Sequence, residues 1–110
     1  MATRKKTFTP GYIYFVTYTI FQWKHVFTSE KYFELVYKWF DYMKKEYDNK
    51  IHGYVIMPNH LHLLLYISEH SQKLSKLIQN GKRFQAYDII KYLRGDKNEE
   101  LLSIFTIAAD

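Results

Sequence analysis

Two extended runs separated by Pro58-Asn59 do most to narrow what this chain can become. Ile51 to Met57 and His60 to Ile67 are rich in branched and apolar residues, and a proline followed by an asparagine is a tight-turn pair. The stretch predicts a β-hairpin with a short connection. Side chains of a strand alternate between faces, so Leu61, Leu63 and Leu65 go to one side and His60 and His62 to the other. The leucine side asks for a core. The two imidazoles stand together on a rigid strand, where they can grip one divalent metal or simply face solvent.

The chain around the hairpin reads as one α+β domain over 1–110. Residues 1–10 are basic and polar and run into Pro10-Gly11, which predicts a flexible arm and a turn. Tyr12 to Trp23 is β-branched and aromatic throughout and predicts a strand. Both of its faces are apolar, which predicts a central place in a sheet. From Ser29 or Thr28 as N-cap, a helix is predicted to about Tyr47, with Tyr32, Val36, Trp39, Phe40, Met43 and Tyr47 as its buried stripe. A second helix is predicted from Gln72 or Lys73 to about Arg94, with a kink at Asn80-Gly81. The terminal run Leu101 to Ala109 predicts a packed helix, a dimer contact or a shortened copy of a longer protein. The order strand, helix, strand, strand, helix suits an antiparallel sheet with helices packed on it, ferredoxin-like or RRM-like, βαββα, without an evident last strand.

Composition narrows the function classes. There is no cysteine, which removes disulfides, thiolate nucleophiles and cysteine-bound zinc and fits a reducing, cytoplasmic setting. No apolar run approaches the ~18 residues of a membrane span, and no signal peptide is evident. Eleven tyrosines and eight phenylalanines exceed what a small core needs, so some should be exposed for stacking, contact or chemistry. The net charge is +5, and residues 73–94 carry six basic residues against one acid. Such a concentration on one helix points to a polyanion such as nucleic acid. His52 lies on the first hairpin strand, near the pair or alone on the surface.

At this point the residues resemble a known family. His52-Gly53-Tyr54-Val55-Ile56-Met57-Pro58-Asn59-His60-Leu61-His62-Leu63-Leu64-Leu65 is similar to the signature of the IS200-like, REP-associated branch of single-tyrosine transposases in the HUH endonuclease superfamily. Phe15-Val16-Thr17-Tyr18-Thr19 resembles its first strand, and Asn80-Gly81-Lys82-Arg83-Phe84-Gln85-Ala86-Tyr87 its tyrosine helix. The likeness runs from about 11 to 93.

The resemblance implies a mechanism. His60 and His62 would bind Mg²⁺ or Mn²⁺, and Tyr87 would attack a phosphodiester of single-stranded, hairpin-forming DNA to give a 5′-phosphotyrosine and a free 3′-OH. Such residue types suit the task, because an anionic phosphodiester needs its developing charge neutralised and a phenol leaves readily in the reverse step. Lys82, Arg83 and Lys91, with Arg4, Lys5 and Lys6 of the arm, are the expected phosphate contacts. Members usually supply a third ligand one turn after the tyrosine. Here that position is Lys91, which leaves Asp88 or Gln85 as candidates. Tyr92 is a rival nucleophile. A homodimer is expected, without settling whether Tyr87 serves its own chain's histidines. Two other readings stand beside this one: a nucleic-acid-binding relative without chemistry, and a structural dimerisation module.

Overall fold

The computed structural model describes residues 9–20 and 24–109, with side chains to residue 104. Its elements are β1 (Ile13–Thr19), α1 (Glu30–Tyr47), β2 (Lys50–Met57), β3 (His60–Tyr66), α2 (Leu74–Gly95) and α3 (Glu99–Ala109). The three strands form one antiparallel sheet in the order β1-β3-β2. The hairpin of β2 and β3 turns at Pro58-Asn59, as the sequence predicts. No helix among the described residues is long and apolar enough to cross a membrane.

One face of the sheet is the core. Leu61, Leu63 and Leu65 are fully buried there with Val16 and Tyr18 of β1. The helix α1 lies against them through Tyr32, Leu35, Val36, Trp39, Phe40 and Met43, a stripe at helical spacing. Tyr18 meets Trp39 at 5.5 Å between ring centroids, and Phe40 meets Tyr54 at 5.3 Å. Leu35 belongs to the stripe, whereas the expected Tyr47 is only half-buried. Ser29 takes the extended N-cap conformation, without a side-chain cap bond. The helix ends where Asp48 turns left-handed (φ 58°) and its N–H donates to the Lys44 carbonyl. Buried Asn49 then accepts from the Ser68 N–H at 2.9 Å and donates to the Ser71 hydroxyl at 2.9 Å, tying the helix end to the segment after β3.

The opposite face is open, and this corrects the expected place of β1. β1 is an edge strand and β3 is central. Ile13 and Phe15 are exposed, so the second apolar face of β1 is a surface, not a second core layer. Residues 21–23, the end of the predicted strand, lie outside the described residues. On β2 the register shifts between Ile51 and Gly53, leaving His52 as the extra residue of a bulge. His52 is exposed there.

The helix α2 runs as one element through Gly81. The reason for glycine is close approach: a Cβ there would lie 2.5 Å from Trp39 Cε2. At the far end, Lys31 and then the Tyr32 hydroxyl bind Asp96 and hold its carboxyl below its usual range, joining the C-terminus of α2 to the start of α1. Helix propensity alone would make Gly81→Ala stabilising by about 1 kcal/mol. Against buried Trp39 the sign reverses, and urea denaturation is expected to show a loss of about 1–3 kcal/mol.

Candidate active site

The hairpin turn is fixed from outside before the histidines begin. The Pro58 carbonyl accepts from the N–H groups of Val26 and Phe27 at 2.8 and 3.0 Å. The Asn59 carbonyl accepts from Ile20 N–H at 3.0 Å. The strand β3 starts directly after this clamp, and because its leucines are buried, His60 and His62 face the open side. Their ring centroids are 4.7 Å apart, with the planes at 80°.

Each imidazole is held at Nδ1. The His60 Nδ1 lies 2.7 Å from Asn59 Oδ1, an oxygen that accepts, so the hydrogen bond there is one that Nδ1–H donates. The His62 Nδ1 lies 3.1 Å from Thr17 Oγ1, its cross-strand partner in the β1–β3 register. Phe15 stacks on the His62 ring at 5.4 Å and 18°. A ring fixed at one nitrogen presents the other in a set direction, the usual arrangement around metal-bound histidine. Two imidazoles side by side on an open face are residues that could hold a divalent cation taking its other ligands from water and phosphate oxygens. The sequence carries Asn59 as a turn residue within the family signature and Thr17 within the first-strand likeness, but neither reveals its histidine contact, which for Thr17 depends on the register of two distant strands.

The candidates on α2 lie elsewhere. Tyr87 is 67% exposed. With Gln85, Asp88 and Phe84 it lines a groove of about 450 Å³ against Leu35, Lys38, Trp39 and Tyr42 of α1. Since α1 covers the leucine face of the sheet, Tyr87 and the histidine pair sit on opposite sides of it within one chain. Asp88 pairs with Lys38 at 3.3 Å. Gln85 is turned into the same α1–α2 layer. Neither is brought to the histidines, and no cluster of three or more His, Cys, Asp or Glu residues able to hold a metal occurs among the described residues. Tyr92 is half-buried, edge-on to Tyr32 at 5.7 Å, with the Lys31 ammonium 5.3 Å from its ring centre. Lys82 lies over the Tyr18 ring at 5.4 Å, while Arg83 and Lys91 are exposed. Arg4, Lys5 and Lys6 lie outside the described residues.

Gln85 is 3% exposed, and neither its Nε2 nor its Oε1 has a hydrogen-bond partner. A buried amide without partners costs about 1–3 kcal/mol relative to a solvated one. Gln85→Met keeps the length of the side chain and removes both polar atoms. It is expected to raise the urea midpoint by the equivalent of about 1 kcal/mol or more.

No curated protein and no solved structure matches the chain. The family model described as "Transposase IS200 like" matches residues 7–103, nearly its whole length. The match takes in the first strand, the clamped hairpin with both histidines and the whole of α2. The chain belongs to the IS200-like transposase family.

Proposed function

We propose that this transposase-family chain nicks and rejoins single-stranded DNA, using the histidine pair of β3 and a tyrosine nucleophile. The observation that carries the reading is that both imidazoles face the open side with Nδ1 already engaged. His60 and His62 would hold Mg²⁺ or Mn²⁺ through Nε2. When bound, such a cation supplies charge neutralisation at the phosphoryl oxygens. Asn59 and Thr17 hold the two rings in orientation.

Tyr87 is the proposed nucleophile. Its Oη forms a bond to phosphorus, the bond from phosphorus to O3′ breaks, and the chain is left as a 5′-phosphotyrosine with a free 3′-OH. Attack of that or another 3′-OH on the phosphotyrosine reseals the strand. Because Tyr87 faces away from the histidines of its own chain, the proposed arrangement pairs it with the histidines of a second copy, and the working unit is a homodimer. Exposed Arg83 and Lys91, with Lys82, flank Tyr87 on α2 and offer cations to neighbouring phosphates.

A second reading has a specific observation behind it. Lys91 stands where the family pattern places a third ligand, and Asp88 and Gln85 both turn toward α1. A nucleic-acid-binding protein of the same fold without chemistry would look like this. End-labelled hairpin DNA incubated with the protein and Mn²⁺, then run on a denaturing gel, separates the two. The proposed enzyme gives a covalent adduct that is lost in Tyr87→Phe and in His60→Ala. Mixing these two variants should restore the adduct by pairing an intact tyrosine with an intact histidine pair. Binding without adduct across varied hairpins establishes the second reading. An adduct that survives Tyr87→Phe but not Tyr92→Phe moves the nucleophile.

A further inference from the structure

The open face of the sheet is built of cross-strand rows. Thr19, His60 and Met57 form one row, and Thr17, His62 and Val55 the next. The row after these is Phe15, Leu64 and Gly53. The first two rows hold the histidines. The third is apolar and has a missing side chain at its β2 end. Phe15 and Leu64 are 66% and 42% exposed, so a large part of this apolar row is uncovered. A depression of about 200 Å³ lies here, bounded by Phe15, Gly53, Val55, His62 and Leu64.

We propose that this depression holds one base of single-stranded DNA, the base next to the phosphate engaged at the histidine pair. The inference rests on the proposed function and adds a subsite to it. Three observations favour a base over another occupant. The first is position, because rows on one face of a strand repeat every two residues, roughly 7 Å. A base in the third row is therefore within one nucleotide of a phosphate at His62. The second is chemistry, since an exposed phenyl ring lying nearly parallel to an imidazole offers a flat aromatic platform, and every base has a face to stack on it. The third is Gly53. Its backbone is not in the left-handed region, and a Cβ there would meet only Leu64 Cδ1, at an ordinary 3.9 Å. Packing does not require glycine at this point. What glycine provides is the vacancy, in a strand where a branched residue would otherwise be favoured. The volume suits a single planar ring, and the chain's net charge of +5 suits the strand that carries it.

The test walks an abasic site along a fluorescent single-stranded hairpin oligonucleotide and reads affinity by anisotropy, without requiring chemistry. The variants are Phe15→Leu, which keeps an apolar side chain but removes the ring, and Gly53→Val, which fills the vacancy with a good strand former. Circular dichroism confirms that both remain folded. In the wild-type chain, one abasic position should weaken binding roughly tenfold, the effect of losing one stacked base. In both variants the intact oligonucleotide should bind about that much more weakly, and the same abasic position should cost little more. An unchanged abasic profile in the variants overturns the subsite while leaving the DNA-processing function standing. A Phe15→Leu variant that changes from dimer to monomer with no change in DNA affinity also overturns it, and assigns this face to a second copy. Absence of any single-strand binding by the wild-type chain overturns both the subsite and the function it rests on.

Discussion

Burial of Leu61, Leu63 and Leu65 against α1 is the constraint from which the rest follows. A strand has a period of two, so pinning the leucines pins the histidines to the other face. A slip of one residue would put two imidazoles into the core and three leucines into water. Each buried leucine contributes on the order of 1.5–3 kcal/mol of apolar transfer, which makes that slip prohibitive in a domain of this size. The site is thus oriented by the core, and its own polar contacts only refine it. Asn59 and Thr17 set the rotation of rings whose direction the leucines have already chosen.

The same seam governs the helices. Trp39 touches Tyr18 on one side and leaves no room for a side chain at position 81 on the other. Through that ring α2 is seated on α1, and Tyr87 is carried to the far side of the sheet from the histidines. Within one chain the sheet separates the two, which is why the proposed function pairs them across a homodimer. The closely set α1–α2 layer also explains why Gln85 is enclosed without partners and Asp88 is taken up by Lys38.

Much of this was legible in the sequence, for reasons tied to particular residues. The alternation from His60 to Leu65 and the Pro58-Asn59 turn are local signals, and the hairpin and its faces follow from them. The stripe on α1 is legible for the same reason. Properties that depend on which element meets which were not. β1 looked central because both its faces are apolar, but Phe15 belongs to an exposed platform beside His62. Gly81 looked like a helix flaw because nothing near it in sequence reveals Trp39. Thr17 could be placed on a face but not opposite His62 until the register was fixed. Tyr87 could be placed on a basic helix, but the rotation of that helix relative to the sheet is a tertiary property, set by Trp39 and Gly81.

The proposed function makes the open-face histidine pair a metal-dependent phosphodiester site. Its most direct test is paramagnetic broadening by Mn²⁺ in nuclear magnetic resonance spectra of the isotopically labelled full chain. Saturable broadening centred on the ring signals of His60 and His62, extending to Asn59, Thr17 and Phe15, and abolished by His62→Ala, is expected. Broadening scattered over surface carboxylates, or a focus that survives His62→Ala unchanged, would contradict it.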